Sequence, residues 1–316
     1  MAVHQVSIGY ASPGGGSLPV WLAHEAGLFR ELGIETDVQL HEVSTVVVAR
    51  LVDKVVDFAN VAAPAVINAT LAGNCKVRMI TGGVNYLAQM LVVRPEFTKV
   101  TDIAGLRFGA RTAPKSTRNE LDYWLFEQML PRLGIEAPAR EDVVQIGPRH
   151  QDAIDGLLAG QIDATLLVPP YAFEAETLGL KILADGFDLQ IPYQLGGLAA
   201  TEETIASNPG LVSNMVRGYM RGIKLFRSSP DLVVDIIQKY TGVTDRDIAR
   251  ATADCFARYF QPVPYPTLTG LQSILDQFTA LGRPTQGWSG GDFMDAKFVR
   301  RLEESGEFAN EAMSNV

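Results

Sequence analysis

The chain carries only two cysteines and four histidines in 316 residues. The histidines, His4, His24, His41 and His150, stand at no metal-ligand spacing from one another or from Cys75 and Cys255, so neither a metal site nor any other cofactor is expected. The two cysteines decide nothing about redox compartment: they either pair across the fold or stay as two buried thiols. Positive charge is scarce as well. With 27 Lys and Arg against 36 Asp and Glu the net charge is −9, which argues against a broad nucleic-acid or anionic-membrane surface while leaving room for a local basic pocket. No apolar run approaches the roughly 18 residues of a membrane span, the longest being broken by Asp, Lys, Gly or Asn. Strand-like alternation begins almost at once, in Val6-Ser7-Ile8-Gly9-Tyr10, leaving no room for a basic segment, an apolar segment and a cleavage site. The expectation is therefore two-sided: a periplasmic or extracytoplasmic protein whose leader has been removed, or a cytoplasmic one that starts at Met1.

Apolar residues make up 47% of the chain and charged residues 20%, ordinary proportions for a globular protein, and the length suffices for two cores. One motif occurs twice. Val56-Asp57-Phe58-Ala59-Asn60-Val61 runs into Ala62-Ala63-Pro64, and Ile162-Asp163-Ala164-Thr165-Leu166-Leu167 runs into Val168-Pro169-Pro170. Each copy follows an amphipathic stretch of helical period, gives a short apolar run, and meets proline where a new helix can begin, since the first turn has no use for the missing N–H. The order is helix, strand, helix, and the helix start that follows is a natural anion site.

The rest of the chain repeats this grammar. Strands are predicted at 6–10, 34–40, 76–81, 89–94, 107–110, 143–146 and 181–183. Helices are predicted from Pro19 through Leu32, from a Ser44 cap through Val55, at 64–71, 116–133, 151–159 and 171–178, then at 209–228, 230–240, 245–260, 268–281 and 292–304. Strands alternating with helices imply a mainly parallel sheet in each of two lobes. The chain is expected to cross near Pro95 and return around Gly196 to Ala200. That assigns 1–95 and 200–316 to the first lobe and 96–199 to the second, with a ligand cleft between them.

The run Pro19-Val20-Trp21-Leu22-Ala23-His24-Glu25-Ala26-Gly27-Leu28-Phe29, followed by Leu32-Gly33-Ile34-Glu35, resembles the opening helix and second strand of ABC-importer substrate-binding proteins of the nitrate, sulfonate, taurine and thiamine-pyrimidine-precursor type. Val56-Asp57-Phe58-Ala59, Asp102-Ile103-Ala104-Gly105-Leu106-Arg107 and Gly160-Gln161-Ile162-Asp163-Ala164 sit where that family has similar segments. The similarity spans roughly residues 5 to 240. It implies an α/β, two-lobed type II periplasmic-binding-protein fold with two crossovers, closing on a ligand like a hinge. Relatives on this fold include enzymes, so fold alone does not decide function. The desulfinase-like relatives carry a cleft cysteine and the pyrimidine-synthase relatives a cysteine cluster, and neither pattern is here.

In open parallel sheets ligands sit beyond the carboxyl ends of the strands, which selects the strand-to-helix loops. Ser12, Gly14, Gly15 and Gly16 form a loop that either wraps a ligand with backbone N–H groups or is a flexible surface turn. Asn60 offers an amide to a ligand or caps a helix. Arg111 and Lys115 bring two cations, and Thr112, Ser116 and Thr117 three hydroxyls, to a helix start, the strongest anion site unless they are a solvated basic cap. Pro169 and Tyr171 follow the second copy of the motif, where Tyr171 can stack on or hydrogen-bond a ligand. Arg149 follows another second-lobe strand, and Gly82 and Gly83 follow a first-lobe strand. His150 is a general base or, as is commoner for a lone histidine beside arginine, a structural hydrogen-bonder.

The expected function is a solute-binding protein that captures a small organic anion, a carboxylate or sulfonate, or a related nitrogenous solute, and delivers it to an ABC permease, with no nucleic-acid partner and no membrane insertion. The alternative is a cytoplasmic decarboxylase, desulfinase or lyase acting on an aromatic or heterocyclic acid.

Overall fold

A computed structural model describes residues 3–11, 14–41, 43–73, 75–111 and 120–308. Among them the strands are β1 (His4–Ala11), β2 (Ile34–His41), β3 (Phe58–Asn60), β4 (Val77–Met79), β5 (Met90–Val93), β6 (Phe108–Arg111), β7 (Val144–Ile146), β8 (Ala164–Leu167), β9 (Lys181–Asp185) and β10 (Leu198–Thr201). The helices are α1 (Leu18–Glu25), α2 (Ser44–Val52), α3 (Ala63–Leu71), α4 (Glu120–Arg132), α5 (His150–Leu158), α6 (Tyr171–Thr177), α7 (Glu202–Ser207), α8 (Pro209–Ser228), α9 (Pro230–Thr241), α10 (Arg246–Ala257), α11 (Leu268–Ala280) and α12 (Lys297–Glu304). No helix among the described residues is long and apolar enough to cross a membrane, and Cys75 and Cys255 are free thiols.

The chain divides into two compact units, residues 1–86 with 192–316 and residues 87–191. The first holds a sheet of order β2-β1-β3-β10-β4 and the second a sheet of order β7-β6-β8-β5-β9. Both follow one plan. In the first unit β1, β2 and β3 pair in parallel and β10 runs antiparallel between β3 and β4. In the second β6, β7 and β8 are parallel and β5 runs antiparallel between β8 and β9. The antiparallel strand of each sheet is the first strand after the chain has passed from one unit to the other. It must therefore begin beside the carboxyl ends of its parallel neighbours, and each linking segment meets its unit at that end. The linking segments are tied within each unit: Leu87 N–H donates to Ile191 O at 3.1 Å, and Tyr193 N–H to Asn85 O at 3.1 Å.

Several expectations change here. The strand predicted at 89–94 lies in the second sheet, where 1–95 had been assigned to the first lobe; Met90 to Val93 is buried on both faces, so its pattern names no particular sheet. The stretch around Ala200 is strand β10 rather than a crossover. The helix opening at Pro19 stops at Glu25 because Gly27 takes a left-handed backbone, φ +71°, and the last helix divides into a short 3-10 turn and α12. Ser44 is the first residue of α2 rather than its cap.

The repeated aspartate has the same task in both units. Asp57 precedes β3 and its Oδ2 accepts from Ser7 N–H at 2.7 Å, while Asp57 N–H donates to Ser7 O at 2.9 Å. Asp163 precedes β8 and its Oδ2 accepts from Arg107 N–H at 3.1 Å, while Asp163 N–H donates to Arg107 O at 2.8 Å. Each carboxylate thus ties the amino end of its own strand to the adjacent parallel strand, opposite the end where the loop opens into a helix. Asp163 also accepts from the guanidinium groups of Arg107 and Arg94, and its hydrogen bonds to Arg107 hold its pKa below the ordinary aspartate value of 3.8. A depressed folded-state pKa gives stability that is present above the unfolded value and lost as pH falls through the folded one. The melting-temperature difference between wild type and Asp163→Asn is therefore expected to be full at neutral pH and to shrink below about pH 4, as a calorimetric series would read; a difference unchanged down to pH 3 would contradict it.

Candidate functional site

In the second unit β7, β6 and β8 are neighbours, so their carboxyl ends bring three junctions together. Arg111 ends β6, His150 opens α5 after β7, and Tyr171 opens α6 after β8. Arg111 Nη1 lies 3.0 Å from His150 Nε2, and the His150 ring stacks on Tyr171 with centroids 4.5 Å apart and planes at 16°. The partner that sequence reasoning missed is Asp122 on α4. Its carboxylate accepts from Arg111 N–H at 2.9 Å, Nε at 3.2 Å and Nη2 at 2.9 Å, and its side chain is 1% exposed against 13% for Arg111. The only warning in the sequence is that this acid directly precedes the apolar run Tyr123-Trp124-Leu125-Phe126. Burial first, then the adjacent guanidinium, pushes the His150 pKa well below its ordinary value, and burial raises that of Tyr171. The His150 ring and the Tyr171 hydroxyl are accordingly neutral.

Arg111 is thus where an anion site was expected, but much of its fork already serves Asp122. Thr112, Lys115, Ser116 and Thr117 lie outside the described residues, as does Ser12 in the first unit. The Arg149 side chain is 73% exposed and pairs with Asp152 one turn on, whose carboxylate also caps the Arg149 N–H at 2.9 Å. The Arg-x-x-Asp spacing makes this a local helix-start box. Pro169 is buried and joined to Pro170 by a cis peptide bond in the turn that leads into Tyr171.

In the first unit Asn60 ends β3 and donates through Nδ2 to Ser17 Oγ at 2.9 Å. Both residues are buried, and Asn60 Oδ1 has no partner among the described residues. Gly14 precedes a 3-10 turn, Gly15–Ser17, that feeds α1. Gly15 carries the ring of Phe256 from α10: a Cβ there would lie 2.2 Å from the ring, whereas at Gly16 the nearest atom would be Val84 Cγ2 at 3.7 Å. Gly82 and Gly83, after β4, are close-packing positions. Gly82 N–H donates to Pro264 O at 2.6 Å, and a Cβ would meet Tyr265 O at 2.2 Å on Gly82 and the Tyr219 hydroxyl at 2.4 Å on Gly83. The structure therefore unites Gly15, Gly16, Ser17 and Asn60 at one end of the first sheet and gives Gly82 and Gly83 a packing role. Tyr219 and Phe256 are not marked by the sequence, because helices α8 and α10 read only as padding.

Among the described residues no group of His, Cys, Asp and Glu could hold a metal ion. Cys75 lies two residues before β4, at the amino end of the sheet, and burial raises its pKa, the opposite of what an activated nucleophile needs.

A model of the NMT1-like family matches residues 2–231. No curated protein matches the chain in sequence. Among solved structures, the periplasmic aliphatic sulphonate binding protein SsuA from Escherichia coli is similar at TM-score 0.70 and 17% identity, over 90% of this chain and 94% of that one. The periplasmic nitrate-binding protein NrtA from Synechocystis PCC 6803 is similar at TM-score 0.71 and 13% identity, over 99% and 90% of the two chains. A point mutant of DSZB in complex with biphenyl-2-sulfinic acid is similar at TM-score 0.68 and 15% identity, over 96% and 100%. At these identities the likeness is one of fold: the α/β architecture of periplasmic binding proteins.

Proposed function

The chain belongs to the NMT1-like family, and we propose that it works as the solute-binding protein of an ABC importer. It takes up a small organic anion, a carboxylate or sulfonate, or a related nitrogenous solute outside the cytoplasm and hands it to a membrane permease. The observation that carries this reading is that both linking segments meet their units at the carboxyl ends of the parallel strands, where each unit also gathers polar groups: buried Asn60 and Ser17 in one, half-buried Arg111, His150 and Tyr171 in the other. In open parallel sheets such carboxyl ends are where ligands sit, so these polar groups stand where a solute would be met. SsuA and NrtA, which share the fold, are periplasmic binding proteins for aliphatic sulphonates and nitrate.

The DSZB likeness keeps an enzymatic reading testable. Calorimetry of the purified protein against small carboxylates, sulfonates and nitrate, followed by recovery of the solute, separates the two. Saturable binding with the solute recovered unchanged is expected; conversion of the solute, or no binding by any of them, would contradict the proposal.

A further inference from the structure

The contact at the centre of the second-unit cluster fixes the position of a proton. Arginine has only donors, so the 3.0 Å contact between Arg111 Nη1 and His150 Nε2 requires Nε2 to accept. The imidazole is then neutral, with its hydrogen on Nδ1. The lowered pKa of the ring agrees with that form. Nδ1 is itself buried and has no hydrogen-bond partner among the described residues, whereas buried donors in folded proteins are nearly always paired. The ring has little freedom to seek one by turning, because Tyr171 covers one face and Arg111 is held from behind by Asp122.

We propose that His150 is a specificity-determining residue whose Nδ1–H donates to an oxygen of the bound solute, with Asp122 and Arg111 as the positioning pair that holds its tautomer. This rests on the solute-binding reading and narrows it. Because Asp122 already balances Arg111, the cluster offers a solute a neutral donor of fixed direction. It selects oxygen acceptors, such as those of a carboxylate, sulfonate or nitrate.

Two side chains separate the atoms of the ring: an asparagine amide nitrogen falls near the place of Nδ1, and a glutamine amide near that of Nε2. With ethanesulfonate, benzoate and nitrate as probes, His150→Gln keeps an acceptor for Arg111 but loses the donor to the solute. It is expected to weaken the binding probe by about tenfold or more, the loss of one hydrogen bond to a charged acceptor, while His150→Asn stays within about threefold. Nitrogen-15 spectra of the wild-type side chain should show a protonated Nδ1 and an unprotonated Nε2 before any probe is added, and the Nδ1 signal should move when the probe binds. The opposite tautomer, an imidazolium, or wild-type affinity in His150→Gln would each overturn the assignment while leaving solute binding intact. Failure of all three probes to bind wild type would overturn the solute reading and this donor with it.

Discussion

Asp122→Ala is expected to cost the second unit about 3–5 kcal/mol, the range for removing one partner of a buried ion pair. The carboxylate is 1% exposed and the guanidinium it faces 13%, so water cannot take its place. Three donors lose their acceptor together: Arg111 Nε, Nη2 and the backbone N–H. Asp122→Asn keeps the shape and one acceptor oxygen and should lose less, about 1–3 kcal/mol. In urea, the midpoint should fall in that order, and because the chain forms two units an early separate transition is the expected form of the loss. A midpoint unchanged in Asp122→Ala would mean that the guanidinium is solvated, and the account of this cluster would be wrong.

Gly222→Ala acts from a distance on the first unit. The glycine lies in α8 where that helix crosses the start of α1, and a Cβ would stand 2.1 Å from Pro19 O and 2.9 Å from Pro19 C. The obstacle is backbone, so no rotamer change relieves it and the helices must separate, an overpacking cost of about 1–3 kcal/mol. Pro19 follows Ser17 by two residues, and Ser17 Oγ accepts the hydrogen bond of Asn60 Nδ2. The substitution should therefore lower the melting temperature and also weaken solute binding. Wild-type stability in Gly222→Ala would show that the helices yield freely.

The order of strands and helices was legible because short apolar runs are punctuated by glycine and proline throughout the chain. The doubled Asp57 and Asp163 motif was visible too, yet its meaning was not: the partners Ser7 and Arg107 lie 50 and 56 residues away, and only strand pairing brings them together. The sheet to which Met90–Val93 belongs was illegible for the same reason. Arg111, His150 and Tyr171 could be named from the rule that strands open into ligand loops at their carboxyl ends. The pairing of Arg111 with Asp122 could not, since nothing local places an acid beside an arginine eleven positions earlier. Two signals were present and passed over: the Arg149-x-x-Asp152 spacing of a helix-start box, and Gly218 and Gly222 four apart on α8, a close-packing face at helical spacing.

The central claim is that the chain binds a small organic anion and releases it unchanged, and a single titration tests it. Isothermal titration of wild type against small carboxylates, sulfonates and nitrate should give saturable binding at one site per chain, with the solute recovered unchanged afterwards. No binding by any of them, or conversion of the solute during the titration, would contradict it.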